Sequence, residues 1–188
     1  MAEPQLDPEE ILELEFEYAQ STAEQAQDDR ATIMNLYLLL VGGVGSILVG
    51  FGQARGAEMP RDVYVVVFAL LGVIGFFILM KLVRLRQAWY DSVLAMNQIK
   101  DFYLQKFPEL EKAFRWRTKT IPPPGKLWTI TFNLALLVAI IDSVALGIAV
   151  YLTGWRVANN DYAVGAFAAI LFFLWQIWFY FFQLPSER

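Results

Sequence analysis

The chain has 188 residues and a formal net charge of −4; 57% of it is hydrophobic and 15% aromatic. One soluble domain of that length has no interior large enough for so much apolar side chain. Cys and His are both absent, which excludes thiol catalysis, disulfides, His-ligated haem and the usual zinc sites.

The first thirty residues carry ten acids against one base, Arg30. Within them Asp7-Pro8-Glu9-Glu10 reads as a helix start, with Asp7 as N-cap and proline at the first position. The following Leu12–Tyr18 alternates as a strand would, but the cap, the Glu content and the continuation through Ala26 favour a helix. Such a helix shows apolar groups on two sides, Ile11, Leu14 and Tyr18 on one and Leu12 and Phe16 on the other. It needs several neighbours to bury them, which points to assembly.

Ala31–Phe51 then has no charge in 21 residues, and Val63–Met80 has none in 18. Each is close to the ~20 residues that carry a helix across a ~30 Å hydrocarbon layer. The first is not a cleaved signal, because an acidic rather than a basic segment precedes it. Gly42, Ser46 and Gly50 recur every four residues on one face, a pattern that suits close contact with another transmembrane helix. The run Val41-Gly42-Gly43-Val44-Gly45-Ser46 is not a phosphate loop, since no Gly-Lys-Ser/Thr follows and no strand precedes it.

The second span is expected to continue past Lys81 as one helix, with Leu85, Trp89, Val93, Met96, Tyr103 and Phe107 at three- and four-residue steps. This stripe is expected to pack on the N-terminal helix, with a surface for a partner protein as the alternative. Pro108 ends or kinks the helix, a short helix is expected to follow through Phe114 and Trp116, and Pro122-Pro123-Pro124-Gly125 turns the chain back to the membrane. Residues 81–126 hold ten bases against four acids, with a basic patch at Arg115, Arg117 and Lys119. This excess places the central segment, and with it both termini, on the cytoplasmic side of a cell membrane. The acidic and basic arms either attract each other, within or between subunits, or face water and anionic lipid.

Trp128–Trp155 contains Asp142 as its only charge in 28 residues, and Tyr162–Gln183 contains none in 22. Ala139, Ser143 and Gly147 form a second small-residue face. Counted from the cytoplasm, Asn35 lies ~6 Å deep, Asn133 ~8 Å and Gln176 ~10 Å, so these three amides are expected to form one polar layer. Asp142 lies ~20 Å deep, level with Ser46 and beside Ser143, roughly 100° from the small-residue line. No base lies within any span to neutralise it. It is either neutral and bonded to Ser46 or a backbone carbonyl, ionised in a polar cavity, or one member of an acidic ring lining a pore. The aromatic residues Trp128, Trp175, Trp178 and Phe179–Phe182 read as an inner interfacial belt.

The fold class is therefore an all-α multi-pass membrane protein with four transmembrane helices in two hairpins. It divides into an acidic cytoplasmic helix (1–30), hairpin 1 (31–83), a basic cytoplasmic segment (84–126) and hairpin 2 (127–188). No paired carboxylates occur within the spans, so no catalytic residue, cofactor or metal ligand is assigned and the chain is not read as an enzyme. The expected partners are the lipid bilayer, further copies of the chain and a cytoplasmic protein, not nucleic acid. The expected activity is ion conduction or membrane perturbation by an oligomer, with a non-conducting scaffold as the alternative.

Two blocks, Glu24-Gln25-Ala26-Gln27-Asp28-Asp29-Arg30 leading into Asn35–Leu38, and Trp89-Tyr90 followed by Met96–Lys100, carry a resemblance. Over about residues 10–115 the chain resembles bacterial SLATT-type membrane proteins of nucleotide-signalled defence. The resemblance implies a defence role, an inner-membrane location and pore formation. Spans three and four lie outside it, and the chain has no recognisable nucleotide-sensing domain.

Overall fold

The computed structural model describes residues 7–53, 60–155 and 161–184, and within these the chain is all helical. It has four α-helices, α1 (Pro8–Gln53), α2 (Arg61–Lys106), α3 (Ile130–Thr153) and α4 (Asp161–Gln183), each holding a stretch long and apolar enough to cross a membrane. Most of the expected outer connections, 52–62 and 156–161, lies outside the described residues.

Helix α1 starts as its sequence predicts, with the Asp7 carboxylate accepting from Glu9 N at 2.9 Å. It then runs unbroken for 46 residues, and α2 matches it at 46. At 1.5 Å per residue each is about 69 Å long, more than twice a hydrocarbon core. The boundaries at 30/31 and 83/84 are thus changes of polarity within single helices. Each long helix has an apolar half and a charged half.

Phe107, which precedes Pro108 and is pushed out of the helical region (φ −131°, ψ 74°), ends α2. Two short 3-10 turns, Pro108–Lys112 and Thr118–Thr120, follow. The expected helix through Phe114 and Trp116 does not form, because the first turn stops at Lys112 and 113–117 is irregular. Pro123 O accepts from Lys126 N at 3.1 Å in the turn that redirects the chain. Thr129 then caps α3, its hydroxyl accepting from Phe132 N at 3.2 Å. Gly154 closes α3 in the left-handed conformation (φ 78°), which glycine adopts without a Cβ penalty.

Successive helices pack on one another, α1 on α2, α2 on α3 and α3 on α4. The core between the apolar halves is built from Met34, Tyr37, Leu79, Leu82, Val138 and Tyr180. The charged halves of α1 and α2 lie together differently. Ala19, Ala23 and Ala26 are buried at three- and four-residue steps, so the α1 backbone sits close to its neighbour. The stripe on α2 therefore divides: Trp89, Val93 and Met96 wall a cleft whose far side is Trp116, Ile121 and Pro122, not α1.

Candidate functional site

Asp142 is fully enclosed, as is Gln176 (both 0% exposed). One amide nitrogen of Gln176 donates to Asp142 Oδ1 at 2.9 Å and to Ser143 Oγ at 3.1 Å. The other carboxylate oxygen faces α2, where Gly75 leaves room for it; a Cβ at Gly75 would lie 2.7 Å from Oδ2. Three helices thus meet at one carboxyl group.

Side-chain direction brings this pair together. The contacts Tyr151–Tyr162, Gly147–Gly165 and Phe132–Tyr180 show α3 and α4 antiparallel, with Asp142 level with Ile170. The Gln176 backbone therefore starts ~9 Å from that level. Every Cα–Cβ bond tilts toward its own helix N-terminus, so on antiparallel helices these two side chains lean toward each other and close the gap.

The expected amide layer is not assembled within the chain. Gln176 is taken by Asp142, while Asn35 and Asn133 lie on exposed faces. Ser46 does not reach Asp142 either; it is exposed and donates to Gly42 O of its own helix at 2.8 Å. The reason lies in which side of α1 packs. Met34 and Tyr37 turn inward, and Ser46 falls on the opposite side.

The two small-residue faces have different surroundings. Ala139, Ser143 and Gly147 are buried, and Gly147 meets Gly165 and Ala169 of α4 so closely that a Cβ there would lie 2.9 Å from Gly165 O. The Gly42–Ser46–Gly50 face is open, with nothing within 4 Å of a Cβ built at Gly42 or Gly50.

That open face belongs to a longer line that sequence reading overlooked as a unit. Glu10, Glu17, Glu24, Asp28, Asn35, Gly42 and Ser46 follow one another at steps of seven or four, so they share one side of α1, and all are exposed. From Glu10 to Ser46 the line is about 54 Å long. Acids occupy its charged half, an amide the entry to the apolar half, and small residues the middle. Leu39, 72% exposed, stands beside the line between Asn35 and Gly42.

Where the charged and apolar halves meet, polar bonds tie the helices together. Arg30 donates to Thr131 Oγ1 at 2.9 Å, Gln87 to Gln183 O at 2.9 Å and Arg86 to Pro124 O at 3.2 Å. Arg86 is buried and lies 4.5 Å from the Trp89 ring centroid. Burial lowers its pKa, an effect opposed by Tyr180, and the guanidinium stays charged.

No family model, curated protein or solved structure matches the chain. In the basic patch, Arg117 pairs with Glu111 at 2.9 Å, Arg115 lies 5.8 Å from the Trp116 ring centroid, and Lys119 is exposed. None of the α1 acids lies in an ion pair within the described residues.

Proposed function

We propose that the chain forms a homo-oligomeric, cation-conducting pore in a cell membrane, lined by the exposed polar line of α1. That line carries the reading. In lipid an uncovered Asn35 amide is costly, and a ring of copies facing a common axis hydrates it. The same arrangement stacks rings of Glu24 and Asp28 at the mouth, where acidic rings draw cations, and sets Leu39 beside an apolar constriction. Asp142 has no place on this path. It is a fastener inside each subunit, holding α4 to α3 against Gly75. The orientation follows from the basic central segment, which puts both termini and the acidic mouth in the cytoplasm.

The test is cation flux from liposomes of confirmed protein content. Wild type and Asp142→Asn are expected to conduct, while Asn35→Leu and Ser46→Leu abolish flux. Reversal of Glu24 and Asp28 to Lys is expected to lower the preference for cations over anions. Tight wild-type liposomes would overturn the reading.

The second reading is a non-conducting scaffold that recruits a cytoplasmic protein, favoured by exposed Arg115, Trp116 and Lys119 beside an apolar cleft. Under it, Asn35→Leu leaves function intact and charge reversal at Arg115, Arg117 and Lys119 breaks a pull-down.

A further inference from the structure

The charged half of α1 has three sides. The alanine side meets its own bundle and the acidic line is open. A third side carries Ile11, Leu14 and Tyr18, of which Tyr18 is 70% exposed. These three recur at steps of three and four on one stripe outside the span, and all three are exposed. Glu10 and Glu17 flank Leu14 at i−4 and i+3, and Glu15 flanks Ile11 at i+4.

On the same chain lies a surface of matching chemistry. The cleft between α2 and the returning segment has a volume of about 290 Å³, and its walls include Trp89, Met96, Trp116 and Ile121. Lys100 is at its edge, Arg115 adjoins Trp116 in the chain, and Lys119 precedes Ile121 by two residues. Apolar stripe with flanking acids and apolar cleft with flanking bases are complementary. Among the described residues, none of the α1 acids lies in an ion pair. Both surfaces also lie in the charged layer, since α1 and α2 run side by side through it and Lys100 lies 5.8 Å from the Phe16 ring centroid of α1.

We propose that Ile11, Leu14 and Tyr18 of one copy seat in the Trp89–Trp116–Ile121 cleft of the next copy, joining subunits head to tail. This rests on the oligomeric reading above and deepens it. The sides of α1 fit a ring, with one toward its own bundle, one toward the axis and one toward the neighbour. A heterologous contact of this kind closes into a ring when its rotation divides a full turn. Charge pairing across it fixes the register and rejects like-to-like docking of two acidic helices.

The native chain has no cysteine, so introduced pairs report without background. The purified double variant Leu14→Cys/Ile121→Cys, oxidised in liposomes, is expected to give a ladder of cross-linked oligomers on a non-reducing gel. Mixed Leu14→Cys and Ile121→Cys single variants are expected to give cross-linked dimer that neither single variant gives alone. Native mass spectrometry of the unmodified protein accompanies the gel. An oligomer whose double variant stays uncross-linked, or closes only within one chain, overturns this interface and leaves assembly standing. A monomer by mass spectrometry overturns both. A charge exchange gives an independent check. Glu10→Lys/Glu17→Lys is expected to break the ladder and Arg115→Glu/Lys119→Glu on the same chain to restore it; no restoration counts against the interface.

Discussion

Gly165→Val is expected to detach α4 from α3. A Cβ at Gly165 would lie 2.7 Å from Gly147 O and 2.9 Å from the Tyr151 Cβ. The first of these is backbone, which cannot rotate away, so the helices themselves have to separate. Overpacking of a filled site costs about 1–3 kcal/mol and occasionally more, and a clash with backbone belongs at the upper end. Separation also lengthens the Gln176–Asp142 bond, so the two losses couple. Gly50→Val is the matched control. Nothing lies within 4 Å of its Cβ, and its effect on subunit stability is expected within about 0.5 kcal/mol. Denaturation of detergent-solubilised subunit followed by circular dichroism reads both. Equal loss from the two variants would mean that α3 and α4 do not meet at these glycines.

Gln176→Leu is expected to be the second large effect. It removes the donor to both Asp142 and Ser143 and leaves a fully enclosed carboxyl group among apolar side chains. A buried polar group stripped of its partner costs about 1–3 kcal/mol. Interhelical side-chain bonds in a bilayer are individually weaker, averaging about 0.6 and reaching about 1.7 kcal/mol. The difference predicts non-additivity. Asp142→Ala/Gln176→Leu is expected to be less destabilised than the sum of its single variants, with a coupling of about 1 kcal/mol or more. Additive losses would show that the two side chains do not act as a pair. Asp142→Asn keeps the polar contact and nearly the same volume, so it is expected to retain most of the stability.

The fold was largely legible in the sequence because long uncharged runs and helix punctuation are local signals. Four apolar stretches, the Asp7 cap, the Pro108 stop and the uninterrupted pattern past Lys81 needed no tertiary information. Side-chain company was legible only in part. Depth arithmetic placed Gln176 and Asp142 on separate levels, and their backbones do start apart. It omitted the opposite lean of side chains on antiparallel helices, which lets a long amide span the difference. The position of Ser46 depended on which side of α1 packs. Met34 and Tyr37 turn inward onto the buried cluster, a choice the local pattern does not dictate. The outward line from Glu10 to Ser46 was available as a seven- and four-residue periodicity. It crosses the change from charged to apolar sequence, so splitting the chain at residue 30 concealed it.

The contrast between an enclosed Asp142 and an open α1 line is tested most directly by thiol accessibility in liposomes. Single Asn35→Cys, Gly42→Cys and Asp142→Cys variants are treated with a membrane-impermeant charged thiol reagent, with Leu171→Cys as a lipid-facing control. The expected result is modification at 35 and 42, with none at 142 or 171 until the protein is unfolded in detergent. Modification at 142 in the native protein, with 35 and 42 protected, would contradict it and return the aqueous path to α3.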